Sequence, residues 1–416
     1  MSVKLCHRRS TCRLCTHNHF DLLLSLTPTP PANAFVPYNM RGKVQETFPL
    51  DLYFCKNCHH VQLLDVVNPD YLFSNYLYVS GTSPAFVKHF ENYANFVVDQ
   101  YVPNLENQLV IDIGSNDGTL LKHFKALGFK VLGIDPANEI AKNANLKGIE
   151  TKVAFFNSQL ARKINSTHGF AKVICANNVF AHADNLSEIL LGVKKLLKDD
   201  GVFVFEVSYL LDVFVKTLFD TIYHEHLAYH SVGPLIPFFK THGMELINVQ
   251  RVGVHGGSLR GVVQLEGGPY KKRMSVKKHV LLESKIGLDN IRSLQLLSDK
   301  IEKCKRSLVS VLDGLKLLGK SIAAYGAAAK ATTLMYHFNI GPDVIDYIVD
   351  DSPLKQGMDS PGLHIPIFPS ASIYEKKPDA IVILAWNFSE SIIKQHSKYL
   401  DLGGRFIVPL PEVKVY

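Results

Sequence analysis

Four cysteines fall in two pairs of identical spacing, Cys12-Arg-Leu-Cys15 and Cys55-Lys-Asn-Cys58, about forty residues apart. Four thiolates so arranged match the soft tetrahedral shell of a structural zinc ion, which leaves no open position for catalysis at the metal. Cys6, Cys175 and Cys304 stand alone and read as small core residues. Further along, Asp112-Ile-Gly114-Ser-Asn-Asp-Gly118 lets the backbone approach a ligand at a helix N-terminus. Asp135, some twenty residues on, is placed to accept both hydroxyls of a ribose, with an N-cap as its alternative role. The turn lacks the Gly-x-Gly-x-x-Gly of a pyrophosphate site, so S-adenosylmethionine is expected there in preference to NAD, with Asp112 toward its amino-acid end.

Tyr223-His-Glu-His226 is dense in groups that move protons near neutral pH. Its histidines lack the i, i+4 helical spacing of a metal pair, so acid–base work is the reading. His182 follows another strand signal and faces the same cofactor edge, or is a satisfied structural histidine. His255-Gly-Gly-Ser-Leu-Arg260 offers the Ser258 hydroxyl and the Arg260 fork to sugar or phosphate oxygens, or is an ordinary β-turn.

Buried strands alternating with helices must position these groups. Leu109–Ile113, Lys130–Ile134, Lys172–Ala176 and Val202–Glu206 read as strands of a parallel sheet in a doubly wound α/β domain. Apolar residues at helical steps, among them Leu294, Leu297, Ile301, Leu308 and Leu312, predict a connecting helix or helix pair. Ser321–Tyr325, Val344–Val349, Ala380–Leu384 and Arg405–Val408 then repeat the strand signal in a second, smaller α/β domain. Thr27 to Pro37 reads as an irregular Pro-rich loop. The expected organisation is a zinc module over residues 1–75, a Rossmann-like domain over 76–270, a helical connector over 271–318 and a second Rossmann-like α/β domain over 319–416.

A chain of 416 residues, 47% hydrophobic and 20% charged, supports two or three cores and no long disorder. The net charge of +7 is scattered, apart from Lys271-Lys272-Arg273 and Lys277-Lys278, which read as a solvated face. A zinc module gripping RNA or protein calls for a dense basic, aromatic-lined face, so no nucleic-acid partner is expected. A binding module without activity would have no use for Tyr223-His-Glu-His226 beside a cofactor turn. No apolar leader or membrane-length run is present, so a cytoplasmic protein without a membrane partner and with reduced thiols is expected.

The set of motifs resembles the nucleotide-sugar C-methyltransferase family of deoxysugar biosynthesis, across nearly the whole chain. The matches are Cys12, Cys15, Cys55 and Cys58; Tyr78-Val-Ser-Gly-Thr-Ser83; Gly114-Ser-Asn-Asp-Gly118; Asn177-Asn178 with His182; Tyr223-His-Glu-His226; His255-Gly-Gly-Ser-Leu-Arg260; and Gly326-Ala-Ala-Ala-Lys330. The resemblance implies methylation next to the ketone of a thymidine- or guanosine-diphosphate 4-keto-6-deoxyhexose, usually at carbon 3 and sometimes at carbon 5. It implies a general base among His226, Tyr223, His182 and Tyr78, with His226 favoured, Glu225 fixing the imidazole, Tyr223 near the developing oxyanion, and Tyr78 and His182 lining the cavity. It extends the cofactor-binding set of Asp112, Gly114 and Asp135 to Ser83, Asn116, Asp117, Pro136, Asn177 and Asn178. Gly326 and Lys330 join His255, Ser258 and Arg260 toward the substrate, the first two at its diphosphate. A monomer or weak homodimer is expected.

Overall fold

The computed structural model describes residues 5–73, 81 and 84–416, without the side chains of Pro84, Ala85 and His255. Tyr78 and Ser83 lie outside the described residues.

The central sheet has seven strands, in the order Thr151–Val153, Lys130–Asp135, Leu109–Ile113, Ala171–Asn177, Leu197–Ser208, Ser258–Leu265 and Met244–Val252. The first five pair in parallel, and Ser258–Leu265 runs antiparallel to both its neighbours. Strands buried on both faces are continuous in apolar residues, and Leu109–Ile113 is buried at all five positions. Strand order reverses between Leu109–Ile113 and Ala171–Asn177, which opens a crevice at their carboxyl ends. Thr151–Val153 is an edge strand of three residues, too short and too polar to register as an apolar run.

The zinc module is woven into both other parts. Its antiparallel sheet runs Phe20–Thr29, Phe48–Cys55, Val61–Leu63 and then Ala228–Tyr229, so its last strand comes from beyond the central sheet's core. Thr27 to Thr29 extend the first strand, correcting the expected loop. Pro28 is tolerated because that strand is at the sheet edge, where a register shift falls between Leu26 and Thr29. Val36–Pro37 pairs with Met358–Asp359 of the C-terminal region, and Arg41 makes a bidentate bond to the buried Asp359.

The C-terminal sheet is ordered Ile367–Phe368, Tyr347–Val349, Ile322–Tyr325, Ala380–Ile383, Arg405–Val408 and Lys414–Val415, parallel except for the last. Two helices precede it, Met274–Ile286 and Ile291–Leu317. Leu294, Leu297, Ile301, Leu308 and Leu312 of the longer one are all buried, as their spacing predicts. Cys175 and Cys304 are buried and Cys6 is half-buried, away from the paired cysteines.

Leu308 is 0% exposed on that stripe. Leu308→Ala is expected to cost about 2–5 kcal/mol, read as a lowered midpoint in denaturant, because the fixed helix–sheet packing cannot collapse around the cavity.

Candidate active site

Each cysteine pair ends in a left-handed residue, Thr16 at φ 61° and His59 at φ 64°. Their amides donate to the carbonyls of Cys12 and Cys55 at 3.0 and 2.9 Å, so both pairs form the same tight turn. The four sulfurs lie within 4.8 Å of one another, with Cys12–Cys58 at 3.6 Å and Cys15–Cys55 at 3.5 Å. A tetrahedral shell with Zn–S bonds of about 2.3 Å needs sulfurs roughly 3.8 Å apart, so the donor set fits zinc. Contact with Cys12 pushes the Cys55 thiol up to about 11, and a divalent cation is what allows all four to ionise together.

A cavity of about 380 Å³ opens at the carboxyl ends of the parallel strands. Asp112, Gly114, Asn116, Asp135, Pro136, Asn177, Asn178 and His182 line it, so most of the predicted cofactor residues converge there. Gly114 has φ +70°, and a Cβ there would come within 2.2 Å of Val179, which accounts for the glycine. Both Asp135 oxygens accept backbone amides, from Asn116 at 2.8 Å and Ala137 at 2.9 Å, and each keeps a second acceptor position. Asp112 Oδ1, Ser115 Oγ and both amide atoms of Asn177 are buried with no protein hydrogen-bond partner. Such orphaned groups at a cavity wall fit a polar ligand. Burial, then the Asp135 charge, pushes the Asp112 carboxyl up to about 8.

Asp117 does not line the cavity with its neighbours. Its Oδ1 accepts from the hydroxyl of Thr119 at 2.6 Å and the Thr119 amide at 3.3 Å, tying it to the start of helix Thr119–Ala126. The wall instead includes Phe73, Phe86, Phe90, Phe155 and Phe156, which the sequence reading missed. Phe86 and Phe90 sit at helical spacing, indistinguishable from core, and Phe155 follows the unrecognised short strand.

The segment 219–229 crosses the same cavity, with His224 and Leu227 in its lining. His226 Nδ1 lies 2.7 Å from the Thr221 carbonyl. A carbonyl only accepts, so Nδ1 is the donor, and in the neutral tautomer Nε2 is the basic nitrogen. The His226 ring centroid is 4.1 Å from that of Tyr223 and 5.0 Å from that of His182. Burial, reinforced by His226, holds His182 well below the usual histidine range, so it is neutral. Glu225 Oε1 accepts from Asn33 of the zinc module at 2.7 Å, and the Thr221 carbonyl orients the imidazole.

Ser258 and Arg260, expected toward sugar or phosphate oxygens, are buried. Arg260 is 6% exposed, and its Nε donates to Glu206 at 2.9 Å while its guanidinium covers the Tyr93 ring at 4.4 Å. A charge on an interior strand requires such a partner. Ser258 is fully buried and its hydroxyl donates to the Val254 carbonyl at 3.2 Å. In the C-terminal domain Gly326 has φ +97°, and a Cβ there would meet Ala385 at 2.5 Å. Lys330, on the helix that follows, donates to Asn387 and lies 4.2 Å over the Trp386 ring. Burial holds its ammonium below the usual lysine range against the pull of Asp220, which accepts from Trp386 Nε1 at 2.6 Å.

Doubly wound topology, a cavity at the strand-order reversal with Asp112, Asp135 and Asn177 in its wall, and four convergent cysteines define a zinc-containing S-adenosylmethionine-dependent methyltransferase. Three family profiles match in succession: "Putative zinc binding domain" over residues 12–73, "Methyltransferase domain" over 88–249 and "C-methyltransferase C-terminal domain" over 253–411. The chain is 33% identical to the C-methyltransferase NovU of Streptomyces niveus, over 97% of this chain and 96% of that one. A Burkholderia thailandensis ubiquinone biosynthesis O-methyltransferase is 24% identical over 36% of this chain and 71% of its own. Among solved structures, a Synechocystis magnesium protoporphyrin IX methyltransferase with bound SAH superposes with a TM-score of 0.35 at 14% identity, over 44% of this chain and 83% of that one. The chain belongs to the family of C-methyltransferases that NovU represents. No helix of the described residues is long and apolar enough to cross a membrane.

Two outcomes are expected. Cys58→Ser loses zinc, measured by metal analysis, and lowers the unfolding midpoint, because three thiolates no longer close the shell. With Asp112 raised to about 8 it is protonated in the ligand-free protein at neutral pH, and a cationic ligand favours its ionised form. S-adenosylmethionine affinity then rises as pH increases toward that value, and calorimetry in buffers of different ionisation enthalpy detects proton release on binding. Asp112→Asn abolishes that release; a buffer-independent enthalpy in the wild type contradicts the assignment.

Proposed function

We propose that the protein methylates a ring carbon next to the ketone of a nucleoside-diphosphate 4-keto-6-deoxy sugar, at C-3, in branched deoxysugar biosynthesis in the cytoplasm. The observation that carries this reading is the His226–Thr221 bond, which fixes Nδ1 as the donor of an imidazole packed against His182 of the methyl-donor cavity's wall, so that its basic nitrogen in the neutral tautomer is Nε2. A carbon acid next to a ketone needs such a base, because its proton must leave before the carbon becomes nucleophilic.

Asp135, Asp112, Asn177 and Asn178 are the groups to hold S-adenosylmethionine, and the flat faces of Phe155 and Phe156 suit its adenine. When bound, this cofactor supplies an electrophilic methyl group on a sulfonium. His226 takes the substrate's alpha proton on Nε2, and Thr221 holds the ring while its charge changes. Tyr223 is assigned a hydrogen bond to the ketone oxygen as it gains negative charge. Neutral His182, packed 5.9 Å from Phe73 and against His226, keeps the imidazole in one orientation. The C-terminal domain is assigned the nucleotide, with the turn at Gly326 and Lys330 toward the diphosphate. Its helix Ala329–Phe338 joins the base-bearing segment directly, since Thr333 donates to the Ile222 carbonyl at 2.7 Å.

Incubation with S-adenosylmethionine and a panel of thymidine- and guanosine-diphosphate 4-keto-6-deoxy sugars, with products read by NMR, is expected to show a new carbon-bound methyl at C-3. His226→Asn should lower kcat by roughly 10²- to 10⁴-fold with both ligands still bound. Asp135→Ala should weaken S-adenosylmethionine binding by roughly tenfold or more through lost charge-assisted bonds to the ribose. Methyl transfer to oxygen, or full activity of His226→Asn, contradicts the reading.

A further inference from the structure

The bonds of the zinc turn do not end at the sulfurs. Gln62 Nε2 lies 3.2 Å from Cys12 Sγ, and its Oε1 accepts from both the backbone amide and the Nη1 of Arg13 at 3.1 Å. Arg13, in the middle of the first cysteine pair, has a side chain 0% exposed, and its Nη2 lies 3.0 Å from Asp184 Oδ1. Arg9 approaches the same residue, with Nη1 donating to the Asp184 carbonyl at 2.9 Å and to Oδ1 at 3.1 Å. Asp184 belongs to the cavity wall, between His182 and the helix Leu186–Leu196, whose Glu188 and Ile189 also line the cavity.

We propose that Arg9 and Arg13 are positioning residues for the cofactor cavity, clamping Asp184 so that the folded zinc turn sets the place of wall residues 182–188. The proposal rests on reading that cavity as the S-adenosylmethionine site. Neither arginine lines the cavity, so their influence on the ligand passes through Asp184 and, for Arg13, also through the Leu63 carbonyl that its Nη1 bonds. A buried guanidinium is costly without its carboxylate, so the contact has one favoured geometry. The same module also holds Leu227 of the cavity lining. Leu63 donates its amide to the Leu227 carbonyl at 3.0 Å, and the amides of Leu227 and Ala228 donate to Ala181 at 2.9 and 3.1 Å. Zinc binding thus gathers two lining residues of the cavity, Asp184 and Leu227, around one strand, Val61–Leu63.

The test measures S-adenosylmethionine dissociation constants by calorimetry and zinc per chain by metal analysis, on the full-length protein. Arg13→Gln and Arg9→Gln should each weaken binding by roughly three- to tenfold, the range of coupling carried by packed networks, with zinc retained. Arg13→Lys should recover part of the loss by restoring the charge without the fork. Combined with Asp184→Asn, each arginine variant should weaken binding by less than the sum of the two single effects, because the shared ion pair is already lost while Arg9 keeps its bond to the Asp184 carbonyl and Arg13 its bond to the Leu63 carbonyl. Unchanged affinity in the arginine variants at full zinc, or effects that add in full to that of Asp184→Asn, overturns the proposal. Should Arg13→Gln lose zinc or fail to fold, the same comparison with Arg9→Gln decides. A wild-type protein that does not bind S-adenosylmethionine overturns the reading of the cavity itself, and this proposal with it.

Discussion

The bond between His226 Nδ1 and the Thr221 carbonyl, 2.7 Å long, is the constraint on which the arrangement turns. It selects one tautomer, and a carbonyl that cannot donate keeps that choice whatever the neighbours do. The carbonyl itself is held in place. Tyr229 donates to it at 3.3 Å, and Ala228–Tyr229 is a strand of the zinc module's sheet. On the other side Asp220 is anchored by Trp386, and Ile222 by Thr333, so the C-terminal domain grips the same short segment. Three parts of the chain therefore meet on eleven residues that have little regular structure of their own.

This arrangement explains why a methyltransferase fold carries two additional units. A loop crossing a cavity has too few backbone bonds to hold a side chain to catalytic tolerance. Adding a strand from a metal-stapled module supplies those bonds at Leu63 and Leu227. His224 bonds the carbonyls of Phe48 and Pro49, both at 3.2 Å, and Asn33 bonds Glu225, which repeats the device along the segment. The zinc site is structural in the wider sense that it organises surfaces around the chemistry while taking no part in it.

Much of this was legible in the residues. The parallel strands, the cysteine set, the Gly114 turn with Asp135 and the helix stripe from Leu294 to Leu312 follow from periodicity and spacing, which act locally. What could not be read depends on contacts distant in sequence. Arg260 resembles a phosphate binder until its strand places it beside Glu206, where burial would raise that carboxyl but the His89 bond and the Arg260 charge hold it below its usual range. Glu225 and Asn33 are far apart along the chain. Backbone groups such as the Thr221 carbonyl carry no side-chain signal at all, and the aromatic wall of Phe86 and Phe90 is written in the same pattern as a core.

The claim that His226 acts as a carbon base is separable from methyl transfer and can be measured without it. In heavy water, with the cofactor replaced by its demethylated product, the wild-type enzyme is predicted to exchange the hydrogen alpha to the ketone of the bound 4-keto sugar for deuterium. NMR or mass spectrometry follows the exchange, and His226→Asn should not support it. Exchange at the wild-type rate in His226→Asn would show that the proton leaves by another group and would contradict the account.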